Sequence, residues 1–463
     1  MNQKQTHIID RQVFDLQFAT ESAAKQMQRD IQEMNIELVT MINGLLDKWF
    51  SPDEVITIQK LELDLGNIRM RDGTDEWMHR IKTQLEEKLL PFANNKWEME
   101  KDFYAHKQDI KEHLLQAFTY FLQHGHIDQP SVFDNLDAIK RELLLMDNRQ
   151  QEDLRRALIA LPGELLALRL VTNFNWEETA FLLQVLQPTV TLKEWISLLL
   201  EAREQLKQFE TTERRTVKKI ETPVINRAKQ FLRHFLAAIV KASQSPASLT
   251  VEKAERLKDS LMKDLQSEVL KMEASQKEMI DSKTEQEPAK QTEITAIKNQ
   301  WINNAGLCLL YPWLEKFFEE LSVCRNRDFV NKEMQEHAIY LLHYLATKEE
   351  DATEEKLLFP KLLCGWPWQM PSINSIAISE SEKQEVEELL QSVIDHWAVL
   401  KSTSPDGLRE AFLQRAANLV KQDDHFLLQP EQKGVDVLLD HIPWGFRNIL
   451  LPWMKKPVVV EWY

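Results

Sequence analysis

The sequence predicts a mainly α fold, with a small α/β unit at the N-terminus and a multi-helix C-terminal module that contains a few short strands. Three observations support this fold class. Only ten of the 463 residues are Gly, well below the usual share of about 7%. Apolar residues recur at spacings of three and four over long stretches, as on one face of an α-helix. Period-two alternation, which is typical of a half-buried strand, is confined to short segments.

Residues 1–95 predict the α/β unit. Residues 8–18 and 54–66 alternate apolar and polar side chains, so they predict two strands. Between them, residues 21–49 carry an apolar stripe at helical spacing and predict a long helix, and a second helix is expected near 75–92. We expect the helices of this unit to cover its sheet.

Residues 96–242 predict a helical domain. From about 106 to 240 the apolar pattern is helical throughout, and Pro and Gly punctuate it at irregular intervals. We therefore expect short antiparallel helices stacked on one another. No self-similarity at a fixed period is evident, so the pattern does not predict a helical repeat protein.

Residues 243–300 predict a charged linker or a solvated helix. No aromatic residue occurs between Phe235 and Trp301, and the segment is rich in Ser, Glu, Lys, Gln and Thr. Such a composition buries too little apolar area to offset its ordering entropy. A narrow apolar stripe predicts that 250–280 is a helix that needs a partner, and 281–298 is expected to be flexible.

Residues 301–463 predict a compact Trp-rich module, because they hold eight of the thirteen Trp and Trp usually anchors a core or an interface. The expected elements follow the chain in order. Asn303 or Asn304 caps a helix through Leu309, and residues 333–346 and 382–400 form two more helices. A further helix begins at Ser404 and Pro405 and carries Leu408, Phe412, Ala416 and Leu419 on one face. Residues 457–463 form a strand that pairs with residues 426–428.

Charge and composition exclude several classes of function. The net charge of −16 disfavours binding to nucleic acid or to an anionic membrane, since both require a basic surface. The sequence shows neither a signal segment nor a run of about 18 apolar residues, so a cytoplasmic protein without membrane insertion is expected. Cys308, Cys324 and Cys364 are odd in number and widely spaced, which favours reduced, buried thiols.

The residue patterns predict no enzyme, no cofactor and no metal site. No glycine-rich phosphate loop is present, and His337 and His343 are six residues apart, off the i,i+4 spacing of paired metal ligands. Cys364 paired with His343 or His396 remains a minor alternative as a nucleophile and base. The neighbours Asp395-His396 and Asp424-His425 are expected to be solvated or capping residues, since adjacent residues on a helix point apart.

The candidate partner-binding residues are aromatic and basic. They are Trp366, Trp368, Trp444, Trp453, Arg409 and Arg415. Rigid corners of Trp and Pro make good protein-binding platforms, but such corners also build cores, and both readings stay open. For the two Arg, pairing with Asp406 or Glu410 of the same chain is favoured over pairing with the acidic surface of a partner.

Short motifs at both ends of the chain carry a family resemblance. They are His7-Ile8-Ile9-Asp10-Arg11-Gln12-Val13, Leu61-Glu62-Leu63-Asp64-Leu65-Gly66, Asn304-Ala305-Gly306-Leu307, Leu341-Leu342-His343-Tyr344-Leu345-Ala346, Lys361-Leu362-Leu363-Cys364-Gly365, His396-Trp397, Leu408-Arg409-Glu410-Ala411-Phe412-Leu413-Gln414-Arg415 and Val460-Glu461-Trp462. In content and order they resemble the tape measure family of contractile injection systems, phage-tail-like particles that drive a rigid tube through a target envelope. One departure is Ala416-Ala417, where the family pattern places a Gly after the Gln-Arg pair.

The resemblance implies a non-enzymatic component that governs the length and assembly of the inner tube. Its partners would be inner-tube, baseplate or cap proteins, and it would act in the cytoplasm during assembly, with its presence in the finished particle left open. One unbroken helix of 463 residues would reach roughly 700 Å at about 1.5 Å per residue, but seventeen Pro preclude such a rod. An assembly chaperone or an initiation or cap plug is therefore the alternative.

Overall fold

The computed structural model confirms a mainly α fold. It describes residues 7–9, 12–17, 21–58, 60–67, 73–93, 105–128, 131–133, 135–216, 227–244, 249–275, 300–372, 378–400 and 402–462. The chain forms two compact units, one of Met1–Gln116 with Pro130–Asp134 and one of Ala117–Gln129 with Asn135–Tyr463. The second unit thus includes both the Trp-rich module and the helices that precede it. The four-part division expected from the sequence stays a prediction.

The described residues of the first unit form two helices and a two-stranded antiparallel sheet. Its elements are α1 (Glu21–Trp49), β1 (Glu54–Ile58), α2 (Gly73–Ala93) and β2 (Ala105–Asp109), and α3 (Ile110–His124) spans the boundary between the units. Both helices were predicted. Their apolar stripes meet in a small core, because Leu38 of α1 and Ile81, Leu85 and Leu89 of α2 are all buried there.

The strands of this unit correct the sequence prediction. The strand expected at 54–66 is only β1, and it pairs with β2, which lies in a stretch predicted to be helical. Residues 12–17 and 60–67 are not strands. Their alternation still has a cause, because Phe14, Leu61, Leu63 and Leu65 pack against the core while the residues between them are exposed. The period-two pattern therefore indicates alternating burial of an extended chain, whether or not the chain pairs.

The described residues between 135 and 275, named here the helical region, form helices, as their apolar pattern predicted. They are α4 (Leu136–Leu143), α5 (Asn148–Ile159), α6 (Gly163–Asn173), α7 (Trp176–Leu186), α8 (Leu192–Thr216), α9 (Arg227–Ser243) and α10 (Val251–Ser275). Capping boxes determine where two of these helices begin. Asp147 caps α5 with Gln150, and Asn175 caps α7 with Glu178, so backbone N–H groups of each first turn are paired.

The helix expected to need a partner finds one within the helical region. On α10, Ala254 and Met262 are buried, and the helix packs against α8 and α9. Lys258 is also buried, and its ammonium pairs with Glu201 of α8 at 2.7 Å. The part of the predicted linker that forms α10 is therefore packed, and the segment expected to be flexible lies outside the described residues.

The Trp-rich module combines short helices with a mixed sheet. Its elements are β3 (Gln300–Ile302), a 3₁₀ helix (Ala305–Leu310), α11 (Tyr311–Glu320), β4 (Cys324–Arg325), β5 (Asp328–Phe329), α12 (Lys332–Thr347), a 3₁₀ helix (Glu354–Leu357), α13 (Leu358–Leu363), α14 (Glu380–His396), a 3₁₀ turn (Ala398–Leu400), α15 (Pro405–Leu408), a π-helical turn (Arg409–Leu413), β6 (Ala417–Lys421), β7 (Phe426–Pro430), a 3₁₀ helix (Gly434–His441), β8 (Asn448–Ile449) and β9 (Val458–Val460). The helices predicted at 333–346 and 382–400 correspond to α12 and α14 with its following turn.

Five strands of the module form one sheet in the order β3-β6-β7-β9-β8. The predicted pairing of residues 457–463 with 426–428 is confirmed, and it is parallel, with Phe426 opposite Val458. Two local predictions change. Asn304 precedes a 3₁₀ helix without capping it through its side chain. Ser404 does cap α15, but the helix ends before Leu419, which lies in β6 instead.

Candidate partner-binding surfaces

Trp366 lies in the core of the module. Its side chain is 4% exposed, its indole N–H donates to the carbonyl of Met370 at 3.2 Å, and the ammonium of Lys332 lies 5.0 Å from the ring centroid. The buried indole N–H is thus paired, as a buried Trp requires. Pro367, next to this ring, and Met370 are exposed.

Trp368 is half-buried and lines a shallow pocket at one end of the sheet. Its ring centroid lies 5.4 Å from that of His126. The lining residues, named here the sheet-end pocket, are Gln300, Leu358, Leu362, Trp368, Leu419, Lys421 and Phe426. The open volume, including solvent at the mouth, is ≈ 260 Å³. Most of the walls are apolar.

Trp444 and Trp453 are half-buried in two separate aromatic clusters. The Trp444 indole donates to the carbonyl of Leu309 at 2.9 Å, and its ring meets that of Trp313 edge-on at 4.4 Å. The Trp453 indole donates to the carbonyl of Leu363 at 2.8 Å, and its ring centroid lies 4.8 Å from that of Phe329. Each ring is therefore fixed by the module, while one side of it reaches solvent.

A glycine makes the Trp453 arrangement possible. Gly365 has a φ of +65°, and a Cβ at this position would lie 2.5 Å from the carbonyl oxygen of Trp453. A side chain would meet both backbone strain and a steric clash. The Leu-Leu-Cys-Gly motif thus owes its Gly to close packing against the second aromatic cluster.

Arg409 is buried and joins three helices of the module. Its guanidinium binds Glu387 through two nitrogens at 2.6 and 3.3 Å. It also donates to Asp406 at 2.7 Å and to the carbonyl of Leu345 at 3.0 Å. Paired, bidentate contacts of this kind are the geometry at which Arg binds carboxylates most strongly. The internal pairing favoured from the sequence is present, with Glu387 in addition to Asp406.

Arg415 is completely buried just before the start of β6. It pairs with Asp436 at 2.8 Å and donates to the carbonyls of Glu431 and Ala411 at 2.8 and 2.7 Å. The ring of Trp462 lies 5.2 Å from its guanidinium carbon, and the Trp462 indole also donates to Asp436 at 3.1 Å. This Arg therefore connects the residues that follow β9 to the 3₁₀ helix Gly434–His441.

The thiols do not have the properties of nucleophiles. Cys364 is fully buried, and burial raises the pKa of its thiol well above the usual value. Burial likewise raises the pKa of Cys308. The thiolate, and not the thiol, is the reactive form. Within the described part of the chain, no group of three His, Cys, Asp or Glu residues could hold a metal ion.

A buried charge cluster, not predicted from the sequence, is formed by Arg169, Glu354 and Lys361. All three side chains are at most 1% exposed. The Glu354 carboxylate pairs with the Arg169 guanidinium and accepts from the Lys361 ammonium at 2.5 Å. Burial alone raises the pKa of Glu354, but the charges of Lys361 and Arg169 outweigh burial and lower it. Arg169 and Lys361 thus favour the ionised form of the carboxylate, while burial lowers the pKa of Lys361.

The charge cluster joins the helical region to the Trp-rich module. Arg169 belongs to α6 and also donates to the carbonyl of Gln369 at 2.6 Å, while the Asn173 amide oxygen accepts from the Glu354 N–H at 2.8 Å. Gly125 leaves room for the guanidinium, since a Cβ there would lie 2.4 Å from it. The sequence signal was a lone charge within an apolar run, as in Leu-Phe-Pro-Lys-Leu-Leu around Lys361.

Two of the motifs that carry the family resemblance contact each other. The Asn304-Ala305-Gly306 turn lies against the π-helical turn and the residues just after it. The Ala305 N–H donates to the carbonyl of Arg415 at 3.0 Å. A Cβ on Gly306 would lie 2.0 Å from the carbonyl oxygen of Phe412. A family model described as contractile injection system tape measure protein matches residues 6–462.

The chain belongs to this family.

Membership of the tape measure family assigns the chain a structural or assembly role within a contractile injection particle. No curated protein and no solved structure matches the chain. Among the residues that the structure describes, no helix is long and apolar enough to cross a membrane. The six candidate partner-binding residues of this family member remain predictions, and their internal contacts are those given above.

Proposed function

We propose that the protein acts in tube assembly as a folded docking component, an assembly chaperone or initiation plug, rather than as an extended ruler. The observation that supports this proposal is the buried contact between the helical region and the Trp-rich module, formed by Arg169, Glu354 and Lys361 and named here the joint. Arg169, Glu354 and Lys361 are buried there as a paired cluster. Separating the two regions would expose or unpair these charges, and unpaired buried charges are costly.

The helix lengths favour the same function. In the described part of the chain the longest helix is α1, with 29 residues, which reaches only about 43 Å at about 1.5 Å per residue. Helix α10, which lies in the segment that the sequence predicted to be a charged linker or solvated helix, packs against α8 and α9 instead. A ruler protein sets the length of the tube by the length of its own extended chain. Helices that pack against one another, as these do, do not form such an extended chain.

The docking surface that we propose lies on the Trp-rich module. Trp368, Trp444 and Trp453 each keep part of a ring accessible while neighbours hold the ring in place. Rigid, partly exposed aromatic rings are common hot spots of protein interfaces. Trp366, Arg409 and Arg415 support this surface from within. The partners would be inner-tube, baseplate or cap proteins, bound in the cytoplasm without catalysis, nucleic acid or membrane insertion.

Insertion into the segment 276–299 tests the proposal. Particles from strains with 20 or 40 added residues of the same Ser, Glu, Lys and Gln composition are measured by cryo-electron microscopy, and the same additions before His7 serve as the control. A docking component predicts unchanged tube length in both series. Tubes that lengthen in proportion to the internal insertion would overturn the proposal in favour of a ruler.

Replacement of Trp444 by Ala tests the docking surface. We expect binding to the tube, baseplate or cap protein to fall by tenfold or more, as is usual for an aromatic hot spot, while far-ultraviolet circular dichroism stays unchanged. Trp366→Ala is the contrasting variant, because it should lower thermal stability by emptying a core position. Unaltered binding by a folded Trp444→Ala protein would remove Trp444 from the surface.

A further inference from the structure

His126 is a buried imidazole whose hydrogen bonds match its neutral form. It lies just after the end of α3 and is 4% exposed. Its Nδ1 lies 3.2 Å from the carbonyl oxygen of His124, and its Nε2 lies 3.3 Å from the hydroxyl of Tyr120. A carbonyl oxygen only accepts, so Nδ1 donates and Nε2 is left to accept from the Tyr120 hydroxyl. A proton added at Nε2 would remove that acceptor.

The ring of His126 joins the end of α3 to the Trp-rich module. Its centroid lies 5.4 Å from the ring centroid of Tyr120 on α3 and 5.4 Å from that of Trp368, which follows α13. These three rings are named here the histidine contact. Trp368 is half-buried, so His126 covers part of a ring that otherwise reaches solvent.

The surroundings of His126 disfavour a positive charge on its ring. The titratable and charged groups there are Tyr120, His124, Asp128, Arg169, Glu354 and Lys361. Burial, the neighbouring His124 and the guanidinium of Arg169 favour the neutral ring, whereas Glu354 and the bond to the His124 carbonyl favour the protonated ring. The first three effects prevail, so the pKa of His126 falls to about 3. The contact therefore closes around an uncharged ring.

Both sides of the histidine contact are loops. Residues 125–128 and 366–372, all of which the structure describes, lie outside helices and strands. The loop that carries Trp368 is held to α6 by the Arg169 guanidinium, which donates to the carbonyl of Gln369 at 2.6 Å. Loops open at a lower free energy than packed helices and strands do. A charge on His126 would therefore favour local opening before it unfolds the surrounding helices.

We propose that the histidine contact is an acid-sensitive latch, which holds Trp368 against the end of α3 at neutral pH and releases it in acid. Once the latch opens, water reaches His126 and the ring regains its ordinary pKa of 6.5. Below that pH the open form binds a proton that the closed form does not, so a fall in pH favours opening. Between pH 7 and pH 5 the ratio of open to closed molecules should rise about 25-fold.

The latch would regulate the docking surface proposed above, because Trp368 is part of that surface. A partner that binds the fixed ring would bind more weakly at pH 5 than at pH 7, since the released ring must first be ordered again. This consequence rests on the proposed function, whereas opening in acid is a property of the fold.

Two backbone amides report on the latch. The Met370 N–H donates to the carbonyl of Pro367 at 2.8 Å, within the turn that carries Trp368, and the Gly125 N–H donates to the carbonyl of Phe121 at 2.7 Å. Both bonds shield the amide from exchange with water until the loop opens. Hydrogen exchange of these amides therefore measures the ratio of open to closed molecules.

Hydrogen exchange of the full chain at pH 7 and pH 5 tests the proposal. The rates are followed by mass spectrometry and corrected for the intrinsic rate of each amide. We expect the corrected rates in both loops to rise about 25-fold at pH 5, while α7, a packed helix without His, exchanges far more slowly at both pH values. Equal rates at pH 7 and pH 5 would overturn the latch, and so would rates in α7 as high as those in the loops.

His126→Phe identifies the residue responsible. Phe keeps an aromatic ring at this position but binds no proton, so the rise at pH 5 should disappear. His126→Gln, which also binds no proton, provides the same test should the Phe variant not fold. His441→Phe is the matched control, because His441 is an exposed residue of the same compact unit, and it should leave the rise unchanged. A full rise that persists in a folded His126 variant would overturn the proposal.

The two proposals fail in different ways. Tube length that follows the insertions, with loops that open at pH 5, would remove the docking function and keep the latch. Unchanged tube length with exchange that does not depend on pH would remove only the latch.

Discussion

The helical region and the Trp-rich module belong to one compact unit but build their cores differently. In the helical region, buried residues such as Leu154 and Leu158 of α5 are four apart on one helix, so each core face is a local property of the sequence. In the module, β6 pairs with β3 and β7, although β3 lies more than a hundred residues earlier in the chain. Local patterning therefore suffices for the first region and not for the second.

The joint between these regions differs from both. It has a buried, paired charge cluster at its centre, while the cores on either side are apolar. Buried ion pairs are weak evidence for stability, but removing one partner is strongly destabilising. The joint therefore depends on each member of the cluster, whereas an apolar core loses stability only in proportion to the volume removed.

Replacing Glu354 by Gln gives the largest expected effect. It leaves Arg169 and Lys361 buried without their counter-charge, so the free energy of unfolding should fall by about 3–5 kcal/mol. Urea denaturation followed by Trp fluorescence and by far-ultraviolet circular dichroism measures the loss. If the joint is what couples the two regions, the two signals should then separate into different transitions.

An exposed carboxylate provides the control for that variant. Glu350 pairs with Lys383 at 2.7 Å on the surface, and surface pairs contribute little. Glu350→Gln should leave the urea midpoint unchanged. A midpoint for Glu354→Gln that matches this control would contradict the importance of the joint.

The second prediction concerns the non-local packing of the module. Gly306→Ala places a Cβ against the backbone of Phe412 and Leu413, and the backbone cannot move aside as a flexible side chain could. We expect a loss of about 3 kcal/mol, at the upper end for overpacked sites. Gly434→Ala, whose Cβ would meet nothing within 4 Å, should cost far less in the same thermal scans. Equal losses would show that close packing at Gly306 is not needed.

The third prediction uses pH to test the joint. Burial lowers the pKa of His126, which lies near His124, Arg169 and Glu354, to about 3. Below about pH 6.5 the unfolded chain takes up a proton that the folded chain does not, so stability is lost as pH falls from 6.5 towards 3. Between pH 6.5 and 5 this contributes roughly 2 kcal/mol, at about 1.36 kcal/mol per pH unit. His126→Phe should flatten the pH profile, and an unchanged slope would exclude His126 as its source.

Burial also lowers the pKa of His343, to about 4. This residue contributes a slope of the same sign in the His126→Phe protein. Only the difference between the parent and variant profiles therefore reports on His126.

The smallest expected effects come from helix caps. Asn175 caps α7 in the helical region, and Ser379 caps α14 in the module, each through a capping box. Asn175→Ala and Ser379→Ala should each lower the free energy of unfolding by about 1 kcal/mol, as measured by urea denaturation. Similar losses would show that local rules act alike in both regions. If only Asn175→Ala lowered the free energy of unfolding, the difference between the two regions would be larger, because non-local contacts would then hold α14 in place without its cap.

Much of the fold was predictable because its determinants are local. Neighbouring residues in the sequence determine each of three such features. They are the Ser404 cap, the apolar stripe of α14 and the alternation of residues 61–65. β2 was not predictable, because its Ala-His-Lys-Gln-Asp sequence has no apolar alternation and the strand exists through its pairing with β1. Leu419 suited a helix face equally well, and pairing with distant strands decided its conformation.

The candidate surfaces were predictable only in part. Proline–tryptophan corners are visible in the sequence, yet whether a ring faces solvent depends on distant neighbours such as Leu309 for Trp444 and Leu363 for Trp453. The sheet-end pocket draws on four separate elements and one connecting segment. No local pattern brings those residues together, so the pocket could be found only in the folded structure.

The position of β9 has a consequence for biosynthesis. This strand comes last in the chain, yet it lies inside the sheet, between β7 and β8. During translation the other four strands leave the ribosome first, but β8 has no neighbour until Val458–Val460 emerge. Completion of the sheet must therefore wait until synthesis has passed residue 460. A polypeptide truncated before residue 458 would therefore leave β7 with an unpaired edge and β8 without a neighbouring strand.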